Sequence, residues 1–489
     1  MSLGFSGRLT RATLNSPLTP LALLAAIAVG LLALVSIPRE EEPQISVPMV
    51  DIMVRADGLS APDAAELVAR PLEAIVHSIS DVDHVYTQVD DDQVMVTARF
   101  RVGTNPDEAI VRVHERIRAN LDRIPVGIPE PTIVGRGIND VPSVVLTLTP
   151  RPGAAARWND QALYELADRL RTEINKVDNV GLTFIVGGRP QEIRIEPDPV
   201  RLDRQGVSLG ALVQAVRAAN RTFPAGSVRA DNQAVDVIAG HTLTTPSEVG
   251  LITVPSVLGQ PVLVRDVANV IQAPREDSAR VWRYARLSGG WSDSPAVTLA
   301  VAKRRGANAV VVSRDVLARV NALRGVLIPA DVEVAVTRDY GATANDKANE
   351  LLMHLGLATV SIVVLIGFAI GWREAGVTAI VIPTTILLTL FASNLMGYTI
   401  NRVSLFALIF SIGILVDDAI VMIENIARHW AMNDGRSPSD AVVDAVAEVG
   451  NPTVVATLTV VAALLPMLFV SGLMGPYMAP IPVNASAAM

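Results

Sequence analysis

The stretch GILVDDAIVMIEN, residues 413–425, lies inside an apolar run long enough to cross a bilayer, yet it carries Asp417 and Asp418 side by side and Glu424 beyond them. Each ionised Asp at the centre of a membrane helix costs roughly 2.5 to 3.5 kcal/mol on insertion scales, so the pair costs about 5 to 7 kcal/mol when both are charged. Sequences seldom tolerate that without use. In hydrocarbon a carboxyl is held more readily in its neutral form, and an adjacent like charge pushes the same way, so such a pair tends to share protons. At helical spacing Asp417 and Glu424 fall on nearly one face, whereas Asp418 is turned about 100° from Asp417, toward a different neighbour. The competing readings are an acid pair that only hydrogen-bonds helices together, and a core helix of a soluble domain. For Glu424, one turn before Arg428, an i,i+4 surface pair is an equal alternative.

The same apolar texture recurs along the chain. Leu18 to Ile37 has the length needed to cross a hydrocarbon core of about 30 Å, and its exit, LVSIPRE, lacks the small-x-small pattern of a cleavage site. Further spans read as 351–371, 376–397, 403–427 and 452–471, and a sixth is expected to be starting at PIPVNASAAM, so that the C-terminus reads as a cut. Arg8 and Arg11 precede the first span, Arg373 lies between the second and third, and Arg428 and Arg436 follow the fourth, whereas acids follow the first. Positive charge in short loops marks the cytoplasmic side. The N-terminus is therefore expected inside and residues 39–349 outside, with Arg402 the one dissenter, snorkelling at an outer boundary.

Composition agrees with a chain that meets two solvents: of 489 residues 50% are apolar, yet 18% are charged, and most of the charges fall in 39–349. There is no Cys, which rules out disulfides and thiolate chemistry. The net charge of −8 and only three Lys (Lys176, Lys303, Lys347) leave no electrostatic footprint for nucleic acid. No Lys falls in any span, so a cationic partner for Asp417 and Asp418 is expected from outside this chain. His354 and His429 sit at span ends and read as interfacial. Met49, Met53 and Met95 form no soft-metal cluster and read as core. No phosphate loop, nucleophile triad or metal-helix motif is visible, so no cofactor and no enzyme chemistry is expected.

Residues 39–349 read as a repeated α+β unit. Alternation over Ile45–Ala56 predicts a strand, Ser60 a helix cap, and Pro71 a kink in a helix running through Ile79. Two strands, His84–Val89 and Val94–Val102, flank the acidic tip Asp90, Asp91, Asp92. Asn105 caps a helix with Pro106 first and Ile110, Val113, Ile117, Leu121 and Ile124 inward. A strand near Ile133 completes β-α-β-β-α-β, the split βαβ or ferredoxin-like pattern. It recurs as a strand at 143–149, a helix with Leu163, Leu166, Leu170 and Ile174, and a strand at 180–186. The copy resumes with a strand at 296–302, a helix with Val312, Val316, Val320 and Leu323, and a strand at 332–337. Residues 190–290, with a helix at 208–219, are then an insertion in the second copy.

A first span, two such units with an insertion, and GILVDDAIVMIEN in the fourth span: this resembles the resistance-nodulation-division efflux pumps. REEEPQISVP at 39–48, ARPLE at 69–73 and the closing NASAAM support the resemblance. It implies an N-terminal segment and first span over 1–38, a first porter subdomain over 39–140 and a second over 141–189 and 291–345. It also implies a docking insertion over 190–290 and membrane helices over 346–489, with NRTFPAG at 220–226 in a loop reaching the neighbouring protomer. By position Asp417 and Asp418 match the family's proton-relay acids, whose Lys and polar partners lie in a C-terminal half that this chain lacks. The chain alone is thus expected not to transport. The implied activity is proton/substrate antiport in the inner membrane by a homotrimer joined to a periplasmic adaptor and an outer-membrane channel. The double Asp looks more like the branch for hydrophobic and amphiphilic substrates than the heavy-metal branch. The rival of another class is a non-pumping membrane scaffold or protein-export accessory.

The absence of native Cys makes the topology directly testable. A single Cys placed at Arg157 should react with an impermeant maleimide added from outside, and one at Arg373 only after permeabilisation; the opposite pattern would invert the orientation.

Overall fold

The computed structural model describes residues 3–489 apart from 44, 46, 126, 138, 139, 231, 232, 277, 278, 288, 289, 433 and 434. A short helix the sequence reading missed, α1 (Gly4–Thr13), precedes the first apolar helix, α2 (Leu18–Ser36).

The first outer unit starts with β1 (Met49–Arg55), which begins later than the alternation suggested. Its helix comes in three pieces, α3 (Ala61–Ala64), a π-helical turn over Ala65–Ala69, and α4 (Arg70–His77). The wide turn lies immediately before Pro71, whose ring and missing N–H are incompatible with a regular i→i−4 ladder. Ser60 does not cap this helix. Its hydroxyl donates to Asp63 at 2.6 Å, and the amide of Ala61 is capped by Asp91 Oδ1 at 2.8 Å, while Asp92 accepts from the Gly58 amide at 2.6 Å. The acidic tip therefore closes the turn and starts the helix.

β2 (Val82–Asp90), β3 (Gln93–Phe100), α5 (Pro106–Arg118) and β4 (Thr132–Arg136) complete the unit. Asn105 caps α5 as expected, accepting from the Asp107 amide at 3.0 Å. The sheet runs β2-β3-β1-β4, every neighbour antiparallel. Period-two alternation puts Val50, Ile52 and Val54 into the core, fully covered by the helices. Met49 and Met53 point the other way, with Asp51 between them, and Met53 lies opposite Met95 across the sheet. These methionines are thus half-buried on the second face and not core, contrary to the sequence expectation.

The second unit repeats the plan with β5 (Pro142–Pro150), α6 (Asp160–Ile174) and β6 (Val180–Val186). An insertion follows: β7 (Gln191–Pro197), α7 (Pro199–Arg204), α8 (Leu209–Ala219), β8 (Phe223–Ala230), β9 (Gln233–Ala239), α9 (Pro246–Gly250), β10 (Thr253–Val254), β11 (Val262–Leu263), α10 (Val264–Val267) and β12 (Ala268–Pro274). It opens and closes on paired strands, β7 against β12, and has its own core around Leu212, Val254 and Val264. NRTFPAG enters the β8–β9 hairpin, whose tip residues 231 and 232 lie outside the described residues.

β13 (Val281–Leu287) then forms a hairpin with the first half of β14 (Gly290–Lys303); the second half of β14 pairs with both β5 and β6. With α11 (Ala309–Ala322) and β15 (Val332–Asp339) the order is β6-β14-β5-β15, the same as in the first unit. Leu146, Leu148, Leu163, Leu170, Leu299 and Val316 are buried between this sheet and its two helices.

Membrane helix α12 (Tyr340–Ala369) starts on the residue after β15, eleven positions earlier than the apolar run suggested, because Asp339 caps it through the Ala342 amide at 2.9 Å. The outer sheet thus passes into the membrane without a linker. Gly341 permits this, since a Cβ there would sit 2.4 Å from that of Ser313 on α11. α13 (Trp372–Leu395) packs on α2, with Gly30 against Leu387, and α14 (Arg402–Ala431) follows.

α15 (Pro438–Leu464) contains the 438–451 stretch that the sequence reading left as a polar connection; Ser437 caps it, accepting from the Asp440 amide at 3.1 Å, and α1 covers it through Ser6 and Asn451. Two short helices, α16 (Met474–Met478) and α17 (Pro480–Ala488), end the chain. Among the described residues, five helices are long and apolar enough to cross a membrane. Arg402 does not merely snorkel: it pairs with Glu42.

In the second outer unit Arg283 on β13 reaches Thr149 on β5 at 3.1 Å and Glu333 on β15 at 2.8 Å. That hydrogen-bonded guanidinium holds the Glu333 carboxyl below the ordinary glutamate range. A depressed acid contributes stability above its unfolded pKa and loses it as pH falls through the folded value. Glu333→Gln should therefore destabilise the unit near neutral pH and flatten its acid denaturation below about pH 4.3, the unperturbed glutamate value, read by intrinsic fluorescence during a pH titration.

Candidate proton site

α14 begins at a capping box: Asn401 Oδ1 accepts from the amides of Val403 at 3.0 Å and Ser404 at 2.9 Å, and Ser404 Oγ accepts from the Asn401 amide at 2.9 Å. With 30 residues the helix is long enough to cross a bilayer with turns to spare, and Asp417 and Asp418 fall at its middle. The neighbouring acids have different surroundings. Asp418 faces α15, where Thr457 Oγ1 donates to Asp418 Oδ2 at 2.9 Å. The same hydroxyl lies 3.0 Å from the Thr453 carbonyl. One hydrogen thus has two acceptors within reach.

Asp417 points the other way. It belongs to an exposed stripe that includes Phe406, Phe410, Gly413, Val421 and Glu424, at spacings of three or four residues between 406 and 424. Among the described residues neither Asp417 nor Glu424 has a hydrogen bond or ion pair, and no cation contacts either Asp. A Cβ on Gly413 would meet nothing within 4 Å, so the stripe has room for another helix beside the acid. Sequence placed Asp417 and Glu424 on one face and Asp418 on another, as found. What it missed is Thr457, whose only signal is the Thr453, Thr457 pair one turn apart in an apolar stretch.

Glu424 does not pair with Arg428. That guanidinium binds Glu448 on α15 with both carboxylate oxygens, at 2.7 and 2.8 Å, and Asn425 at 2.6 Å. His429 is buried beside them, Nε2 2.8 Å from Glu448 and Nδ1 without a partner, so at this end of the helix it is a helix-to-helix contact. Asn425 donates to the Ala445 carbonyl at 2.8 Å. These bonds fix α14 to α15 at the end opposite the outer units. His354 is exposed on α12, and no metal-binding group of three or more His, Cys, Asp or Glu occurs among the described residues.

A bundle of long apolar helices carrying two like-ordered α+β units, one with an insertion, is the build of a multi-pass membrane protein. The sequence model of the AcrB/AcrD/AcrF family matches residues 12–489, and the chain belongs to that resistance-nodulation-division family of the inner membrane. It is 30% identical over 474 residues to proteins named multidrug resistance protein MdtC from Yersinia pestis and Yersinia pseudotuberculosis. The match takes in 96% of this chain and 45% of theirs, so the chain spans about half the length of the curated relatives it matches.

Thr457→Val keeps the volume at this site and removes the donor. In the infrared spectrum of the deprotonated protein, the carboxylate stretching bands of Asp418 should shift in Thr457→Val and stay in place in Thr457→Ser; unmoved bands in the valine variant would contradict the contact.

Proposed function

We propose that this chain is the N-terminal half of a proton-driven efflux pump, with Asp417 and Asp418 as the groups that load and release protons. The observation that carries this reading is the placement of the two carboxyls in mid-α14, one tied to α15 and the other on an open helical face. When Asp418 is ionised it holds the Thr457 hydroxyl. When Oδ2 takes a proton, that hydroxyl falls back on the Thr453 carbonyl, and α14 is released from α15 at this level. Asp417 is the acid to which a cation on a helix of the other half attaches, along the stripe from Phe406 to Glu424. Entry of one proton is worth about 2.3 kcal/mol per 100 mV, plus about 1.4 kcal/mol per pH unit, enough to sustain more than a tenfold substrate gradient.

In this reading the two outer units are ferredoxin-like porter subdomains, supported by their shared strand order, and the insertion expected over 190–290 is a docking module, supported by the separate core of its β7–β12 part, while β13 joins the sheet of the second unit. The assembly is a homotrimer working with a periplasmic adaptor and an outer-membrane channel. The name of the MdtC relatives supports hydrophobic or amphiphilic drugs as the substrate class over metal cations. Asp417→Asn and Asp418→Asn should each raise dye accumulation in cells producing the pump to the level of cells lacking the gene, at unchanged protein abundance. Undiminished efflux in either variant would remove that residue from the mechanism.

A further inference from the structure

Where the first membrane helix emerges, residues 38–42 lie alongside 398–402. The Glu40 amide donates to the Ile400 carbonyl at 2.9 Å, and the Ile400 amide to the Pro38 carbonyl at 2.9 Å, forming a parallel bridge between the exit of α2 and the entry of α14. Glu40 is buried there, its side chain 4% exposed. One carboxylate oxygen accepts from Lys303 Nζ at 2.8 Å and the other from Thr399 Oγ1 at 3.2 Å. Lys303, 11% exposed, is the last residue of β14. Thr399 belongs to the cap of α14, because Asn401 Nδ2 donates to its hydroxyl at 3.1 Å and to its carbonyl at 3.2 Å. Three consecutive polar contacts thus run from the outer end of the acid-bearing helix to a strand of the second outer unit.

We propose that Glu40 and Lys303 are positioning residues that convert displacement of α14 into tilt of the second outer unit. This rests on the reading of α14 as the proton-loaded helix. The unit is fastened to the membrane at two places: β15 runs directly into α12, and β14 is held through Lys303 to α14. In the sheet order, β14 and β15 are separated by β5, so the fastenings lie two strand spacings apart, roughly 10 Å. Sliding α14 past α12 by about 1 Å then turns the sheet by about 6° over that lever. An apolar contact of equal volume would hold the parts together as well or better, since buried ion pairs seldom add net stability, but apolar surfaces slide. A buried charge pair anchored at both ends transmits the displacement.

The test uses single Glu40→Gln and Lys303→Met variants and the exchanged pair E40K/K303E, in cells producing the pump. Each single variant should lower dye efflux by about 5- to 150-fold, the span of measured coupling between sites, at unchanged abundance in the membrane, and the exchange should restore most of it. Normal efflux in the single variants, or a loss that the exchange leaves unrepaired, overturns the link. In the Cys-free chain, spin labels at Arg314 on α11 and Met396 beyond α13 should change separation between Asp418→Asn and the parent, and this change should vanish when Glu40→Gln is added. If Asp418→Asn abolishes efflux but the label distance is unaffected, the link fails and the proton reading stands. If Asp417→Asn and Asp418→Asn both pump normally, the proton reading fails first.

Discussion

A carboxylate left in hydrocarbon is expensive, and α14 carries two of them side by side at its middle. That constraint places Asp418 against a helix able to supply a hydroxyl, and it gives Asp417 a stripe of α14 along which a further helix can lie. Backbone groups in lipid must be satisfied internally, so the segments around the acids are continuous helices. The polar side chains of α14 are then divided by depth. Asn401 and Ser404 start the helix at the outer boundary, the acids sit at its middle, and Asn425, Arg428 and His429 hold α15 at the far end.

Outside the membrane, the chain makes one sheet order twice, and a helix pair covers one face of each sheet. The two copies differ in how they join the bundle. The second is continuous with α12 and is pinned again by Lys303, whereas the first follows α2 through residues 38–48. The insertion leaves the second copy after β6 and returns at β13 on paired strands, so its length does not disturb the sheet that carries it.

Charged residues at the boundary between the two solvents account for each other. Glu40 takes Lys303 and Thr399, Glu42 takes Arg402, and Arg39 bonds Asn345 and Asn349 on α12. Two of the acids after the first span, Glu40 and Glu42, are thus separate fastenings. Arg402, the one exception to the charge rule for orientation, is held there by Glu42.

Composition and period were enough to read the long apolar helices and the strands and helices that make up both outer units, because each such element is a local pattern. Helix limits were less legible: α12 and α15 begin at Asp339 and Ser437 caps that precede the apolar runs. Met49, Met53 and Met95, expected in the core, lie on the second face of the sheet, because a strand face is assigned only when its core side is known. Partner choice was not written locally at all. That Asp418 meets Thr457, that Arg428 serves Glu448 instead of Glu424, and that Glu40 closes on a lysine 263 positions away depend on how helices and sheets pack. Side chains distant in the chain become neighbours only after burial has fixed those surfaces, so tertiary structure alone decided which charges compensate one another.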